Sequence, residues 1–362
     1  MIDIVVITFN AKDKLKRCLR SIETHTKNIR YCLTVVNNNS NDGTYQFLER
    51  HQRQNKVKII HTYKNLGKCG AANIALKNTY NKFIAFLDDD TEVDRGWLRK
   101  LYSQIKNKSR VGMVGCKITF PNKRIFCADI RMIELSNLAG FGEMDRGQRD
   151  YIKEADGVAG SCRLMRRDLI KKIGYFNEKL SFSCQCEDID CSVRARLAGY
   201  KIIYNGKVKI IHHHLFRNGG IERYKKNYQI FLKKWGKIFH EFPLKDSHPI
   251  DKYIAVGLGY LKKKMFKQAL IEFKKPESID KIFSEPLYKA IALKGLKRFA
   301  KAIVEFKRTL ELNPSNFWAH YHLAMLYKEM GKIQESRRHY LQSIESLTRY
   351  NKTNDIAVEE TQ

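Results

Sequence analysis

Proline is scarce, 6 in 362 residues, and acidic side chains are few: 38 Asp and Glu stand against 68 Lys and Arg. With 43% hydrophobic and 11% aromatic residues, so little proline excludes a collagen-like or disordered chain. Long apolar runs are missing as well. Stretches such as Ile4–Ile7 fall far short of the ~20 residues of a membrane-spanning helix. The opening MIDIVVITFN lacks a basic head and reads as a buried strand, not an export leader. Nine irregularly spaced cysteines in such a chain predict reduced thiols and a cytoplasmic location.

The net charge of +30 favours anionic partners: nucleotide diphosphates, an anionic membrane face or an acidic protein. A general Lys-rich bias explains the same number equally well. No readable recognition motif accompanies the charge, so nucleic acid is not an expected partner.

Up to about residue 220, short β-branched runs alternate with helical periods. IVVITF (4–9), LTVVN (33–37), VKIIHT (57–62) and FIAFLD (83–88) are separated by helical stretches at 12–24, 44–53 and 68–79. Nearly wholly apolar strands in that alternation predict an α/β fold with a mostly parallel sheet covered on both faces. Ligands of such sheets bind beyond the carboxyl ends of the strands. The polar clusters Thr8–Asn10, Asn37–Thr44 and Asp88–Asp94 fall there. Residues 111–150 are mixed, with further strands and a mobile loop expected around Gly140–Arg149.

From about 250 the strands give way to a period. Phe266, Phe299 and Ile333 are 33 and 34 residues apart, and Ala269, Ala302 and Ser336 repeat those steps, as do Phe273, Phe306 and Tyr340. Small residues at close-packing positions, aromatics at groove positions and Pro314 closing a unit resemble about three tetratricopeptide repeats over 250–350. Lys264 stands where a turn glycine is usual, Pro276 falls inside a helix, and 351–362 reads as a disordered tail. Between the halves, 221–249 reads as a basic amphipathic linker helix. Its segment IERYKKNYQIFLKKWGKIFH carries six basic residues against Glu222, with Tyr228, Phe231, Leu232 and Trp235 at helical spacing. That stripe either packs on the first domain or lies on an anionic membrane.

Asp88-Asp89-Asp90 ends an apolar strand. Clustered carboxylates repel one another, and oxygen ligands at an open position suit Mg²⁺ or Mn²⁺; an acidic loop capping a helix is the plainer alternative. In Asn37–Thr44, short amides and carboxylates can bond a base or ribose edge. In NLGKCGAAN (65–73), Gly67 and Gly70 permit close backbone approach, Lys68 is placed for a phosphate and Asn73 can hold the loop.

Taken in order, VVITFN (5–10), VVNNNSNDGT (35–44), NLGKCGAAN (65–73), FLDDDTEVDRGWL (86–98), GVAGSCRLMRRDLIKKIGYFNE (157–178), CEDIDCSVRARLAGY (186–200) and His212 resemble the inverting family-2 nucleotide-sugar glycosyltransferases of GT-A fold, over residues 1–220. The resemblance implies that Thr8 and Asn10 line the nucleotide pocket. It puts Asn37 where the family usually has a base-contacting Asp, so the nucleobase stays open. Lys68, Asn73, Asp88 and Asp89 complete the implied donor-binding set. Asp90, with Asp88 and His212, would hold the divalent cation, His213 and His214 being alternative registers. Asp188 would be the general base, supported by Glu187. Arg194 and Arg196 either pair with Glu187 or the diphosphate, or face solvent. Cys184, Cys186 and Cys191 lack zinc-site spacing and read as thiols beside a cleft.

Together these imply a metal-dependent, inverting transferase whose repeats hold a protein acceptor such as flagellin or a secreted peptide. One alternative is a lipid-linked or capsular glycan acceptor at the cytoplasmic membrane face. A second is an interaction scaffold with an inactive transferase domain, against which the intact Asp88, Asp90, Glu187 and Asp188 argue.

Overall fold

The computed structural model describes residues 1–131, 137–140, 144–180, 186–213, 227–235, 249–279 and 286–352, except 55, 228, 232 and 315. Cys184, His214, residues 141–143 of the expected loop, much of 221–240 and the tail from 353 lie outside them. Two compact units divide the chain. The first comprises Met1–Phe141, Arg149–His214 and Asn218–Pro243; the second comprises Gly142–Gln148, Leu215–Arg217 and Leu244–Gln362. The first unit thus reaches past 220 and takes in part of the expected linker.

That unit begins with three strand–helix steps and a fourth strand: β1 Ile2–Thr8, α1 Lys12–His25, β2 Tyr31–Asn37, α2 Thr44–Gln54, β3 Val57–His61, α3 Gly67–Lys77 and β4 Phe83–Asp88. Leu15, Cys18, Leu19 and Ile22 recur at helical spacing, which lays one face of α1 on the sheet. Helix α3 is built instead of Gly70, Ala71, Ala72 and Ala75, all buried, so its backbone lies close against the strands. Short β5 Thr91–Val93, α4 Trp97–Ser103 and the nine-residue β6 Val111–Thr119, buried throughout, come next. The unit continues with β7 Ile125–Cys127, β8 Ile130–Arg131, β9 Asn137–Leu138, β10 Ile152–Glu154, β11 Cys162–Arg166, α5 Arg167–Ile173, α6 Cys186–Leu197 and β12 Lys201–His212.

The main sheet runs β10-β12-β6-β11-β4-β1-β2-β3, with β5 on β12 and β7 on β6. Strands β1 to β4 are parallel, and β11 inserts antiparallel between β4 and β6. Strands β1–β4, β6 and β12 thus point the same way, so the sheet is mostly parallel, as the apolar strands predict, with β10 and β11 reversed. The insertion has a consequence for the site: the start of β11 lies beside the carboxyl end of β4, where the Asp88 N–H donates to the Ser161 carbonyl (3.1 Å). Parallel pairing of β12 with β6 and its antiparallel register with β5 set His212 opposite Thr91.

Described residues of 227–235 are helical. Phe231 and Trp235 are buried in the core of the first unit, and the Trp235 indole and Lys234 ammonium both bond Asp190 Oδ1 (2.8 and 2.9 Å). Those two aromatics are therefore turned to protein. Lys233 and Lys234 stay exposed.

The second unit holds helices α7 Pro249–Lys262, α8 Phe266–Ile279, α9 Pro286–Gly295, α10 Phe299–Leu312, α11 Phe317–Glu329 and α12 Ile333–Lys352. Ala269, Ala302, Phe273 and Phe306 are fully buried, as the period predicts, whereas Ile333 and Tyr340 of the third unit are exposed. Lys264, Lys297 and Gly331 take positive φ at the three turns, 56°, 57° and 72°. Lysine thus accepts the left-handed conformation at two positions that glycine fills at the third. Pro276 leaves α8 continuous to Ile279.

Strand β6 packs through Gly115, where a Cβ would lie 2.4 Å from Val158 Cβ. Gly115→Ala is expected to cost about 1–3 kcal/mol, read as a lower urea midpoint; an unchanged midpoint would mean that Val158 moves aside.

Candidate active site

The parallel strands end in a row, and each contributes to one polar edge. Thr8 closes β1, and its buried Oγ1 has no hydrogen-bond partner among the described residues. Asn10 follows with φ of 50°, a conformation asparagine tolerates; its backbone N–H donates to Ser40 Oγ, and its Oδ1 accepts from Asn41 N–H. Asn37 closes β2. Its amide nitrogen lies 3.1 Å from His61 Nδ1, and its Oδ1 accepts from the Ser40 N–H (3.1 Å). Asn38 binds Asn65, Gly67 and Leu66, fastening the α3 entry to the end of β2.

At the end of β4 the three carboxylates diverge. Asp89 is 8% exposed and accepts from the Phe9 N–H (3.3 Å), so it turns back to the β1 exit. Asp88 and Asp90 turn to His212, whose Nε2 is 2.9 Å from Asp90 Oδ1 and 3.9 Å from Asp88 Oδ2. One ligand atom from each of Asp88, Asp90 and His212 lies within 4.8 Å of the others. Two carboxylates and an imidazole at that separation suit a Mn²⁺- or Mg²⁺-like ion. Burial acts to lower the His212 pKa, but the Asp90 and Asp88 charges outweigh it and raise it. His213 faces elsewhere: its Nε2 meets Glu92 Oε1 at 2.6 Å, and its N–H donates to the Asp90 carbonyl.

Lys68, in the first turn of α3, joins the two halves of the cleft. Its Nζ is 2.7 Å from Asp88 Oδ1 and 3.4 Å from Glu187 Oε1. Burial would lower its pKa, yet those two carboxylates raise it, so it stays charged. Glu187 and Asp188 open α6, both buried. Asp188 accepts from the Gly160 N–H (3.2 Å) and from its neighbour Ile189 (2.9 Å). Burial, then repulsion from Glu187, pushes the Asp188 carboxyl up to about 7, against the pull of Arg163, Lys68 and the Gly160 N–H. A carboxyl so poised can take up a proton near neutral pH.

Asn73 stands apart from this cleft. Its Oδ1 accepts from Phe176 N–H, and its Nδ2 donates to Phe176 O and Glu178 Oε1, which secures the segment after α5. Arg194 binds Asp190 (2.8 Å) and the carbonyls of Ile173 and Tyr175, and Arg196 pairs with Asp156. Neither meets Glu187. Burial pushes the Cys186 thiol up to about 12 and raises Cys191 too, so both are protonated thiols, and no metal cluster among the described residues includes them.

Sequence reasoning missed Gly160, whose N–H meets Asp188, and Arg163, whose side chain enters the same pocket. An arginine amid apolar residues in a buried strand was the available sign.

Residues 3–174 match the family model "Glycosyl transferase family 2", and 305–338 match a tetratricopeptide repeat model. The O-antigen biosynthesis protein RfbC of Myxococcus xanthus is 25% identical over 223 residues, 59% of this chain and 17% of that protein. The N-acetylglucosaminyl-diphospho-decaprenol L-rhamnosyltransferase of Mycobacterium tuberculosis is 22% identical over 306 residues, 75% of this chain and 98% of that one. The chain spans 17% and 27% of the first two curated relatives it matches. The solved structure of GalNAc-T7 with UDP, GalNAc and Mn²⁺ superposes with a TM-score of 0.53 at 15% identity, covering 67% of this chain and 50% of that one, which shows a shared GT-A fold.

Asp90→Asn and His212→Ala are each expected to weaken Mn²⁺ binding about ten-fold or more in calorimetric titration, with His213→Ala near the parent. Equal affinity in all three would remove the ion from this cleft.

Proposed function

We propose, from the premise that the chain carries a glycosyl transferase family 2 domain at residues 3–174, that it moves a sugar from a nucleoside-diphosphate sugar to an acceptor in a single inverting displacement. The observation that carries this reading is Lys68, which touches both Asp88 and Glu187 and so joins the carboxylate–imidazole group to the Glu187-Asp188 pair in one cleft.

Each residue has a distinct task. Asp88, Asp90 and His212 would hold a divalent ion, which when bound supplies positive charge for the departing diphosphate. Lys68 adds a second cation there. Asp188 takes the acceptor proton, its carboxyl kept in the neutral range by burial and then by repulsion from Glu187. The ends of β1 and β2, with Thr8, Asn10 and Asn37, and the Asp89 carboxylate behind them, form the nucleotide side. Since Asn37 spends its amide on His61 and Ser40, the base is read by backbone or by a rearranged amide.

For the acceptor, a protein or peptide held by the repeats is the reading that the second unit supports, with a flagellin-like or secreted peptide as the type. The match at 305–338 and the exposed Trp318 on α11 support it. A lipid-linked or surface glycan is the second reading. It is favoured by the printed activities of the relatives, an O-antigen biosynthesis protein and a decaprenol-linked rhamnosyltransferase. A cytoplasmic location, at or near the inner membrane face, fits either. No described helix is long and apolar enough to cross a membrane.

With Asp188 raised to about 7, the carboxyl is protonated below that pH. Turnover is expected to fall about ten-fold per unit of pH below it. Asp188→Asn should retain donor binding, lose roughly 10²-fold or more in turnover and lose that acid limb. Near-parental turnover in this variant would assign the base elsewhere. Acceptor class is decided by the full chain with Mn²⁺ and labelled donors, offered unglycosylated flagellin or polyprenyl-diphosphate sugar.

A further inference from the structure

Arg163 is the second residue of β11, opposite Phe86 of β4, and is 3% exposed. Its guanidinium carbon is 4.7 Å from the Phe176 ring centroid and 5.9 Å from that of Phe86. Neither Nε nor Nη1 has a hydrogen-bond acceptor among the described residues. Arg166, three residues on and also buried, is different: Nε donates to the Val111 carbonyl and Nη2 to those of Ile105 and Lys108. The same strand can thus satisfy a buried guanidinium with backbone carbonyls, and at Arg163 it does not. Two stranded donors on a buried cation are costly, so the pocket calls for an acceptor that the described residues do not supply.

Glu187 has the opposite deficit. Its Oε1 faces Lys68, whereas Oε2 is buried without a donor among the described residues. Arg163 and Glu187 line one small pocket with Lys68, Asp88, Gly160 and Phe176. Gly160 keeps that pocket open, since a Cβ there would stand 3.3 Å from Glu187 Oε1 and 3.5 Å from Lys68 Nζ. A guanidinium only donates and a carboxylate only accepts. An anionic ligand group would satisfy the first and repel the second, and an ammonium would do the reverse. A hydroxyl, which accepts and donates at once, suits both.

We propose that Arg163 is a specificity-determining residue which, with Glu187, holds a hydroxyl of the donor sugar in this pocket. The inference rests on the donor-sugar reading of the adjoining carboxylates. Gly160 supplies the Asp188 hydrogen bond from the same loop, so a sugar hydroxyl seated here lies against the residues that carry the proton transfer.

Calorimetric titration of the full chain with Mn²⁺ tests it, using UDP, GDP and their hexose and N-acetylhexosamine conjugates. Arg163→Met is expected to bind the free diphosphate within about two-fold of the parent and the preferred conjugate at least ten-fold more weakly. Arg163→Gln, which keeps an N–H donor, should fall between and serves if the Met variant does not fold. Deoxy versions of the preferred conjugate extend the test. The parent should discriminate against loss of one hydroxyl by about 10²-fold or more, and Arg163→Met should not. Parental affinity for the conjugate in both variants would overturn the inference, as would a parent indifferent to every hydroxyl, leaving the pocket to water. An equal loss of diphosphate and conjugate would also overturn it and would leave the donor-sugar reading intact. A parent that binds neither would overturn that reading and the inference with it.

Discussion

Four carboxylates crowd one cleft at the tip of β4 and the start of α6, and their mutual repulsion is the constraint that organises the domain. Asp88, Asp90, Glu187 and Asp188 are held with Lys68, Arg163 and His212 as cationic counterweights. Where charge balance is incomplete, protonation absorbs the remainder. Asp188 is the group whose carboxyl is pushed to about 7, because it is buried next to Glu187 and the pull of Arg163, Lys68 and the Gly160 N–H offsets this only in part. Asp89, by contrast, escapes the crowd by turning to the β1 exit. Three consecutive aspartates thus face two ways, Asp88 and Asp90 toward His212 and Asp89 toward the β1 exit, decided by direction and not by chemistry.

The parallel half of the sheet was legible because its strands are apolar on both faces and end in polar clusters at a regular interval. FIAFLD matched β4 residue for residue, and the other three strands and their helices matched within a few positions. The antiparallel insertion of β11 was not legible. CRLMR carries no mark of strand direction, since direction is set by which neighbour completes the hydrogen-bond ladder. The same limit hid Gly160, a backbone donor whose role depends wholly on what lies across from it. Asn73 and the arginines of α6 show the converse. Their residue types invite a ligand, yet neighbouring carbonyls and carboxylates claim them first.

In the second unit, the repeat was visible as a period of 33–34 residues, and the buried alanines and phenylalanines of the first two units follow it. The turns were less predictable. Lys264 and Lys297 hold the left-handed conformation that a consensus would give to glycine, because surface turns tolerate about 1 kcal/mol of backbone strain when the helices on either side are well packed.

Asp190 sits two residues beyond Asp188 on α6, and it is clasped by Arg194 from its own helix and by Lys234 and Trp235 from the segment downstream. That arrangement makes the downstream stretch a rear strut for the helix bearing Asp188. Mechanical slack introduced at Trp235 would travel less than a single turn of backbone, from Asp190 to Asp188, so the aim of the Asp188 carboxyl depends on packing outside the cleft it faces.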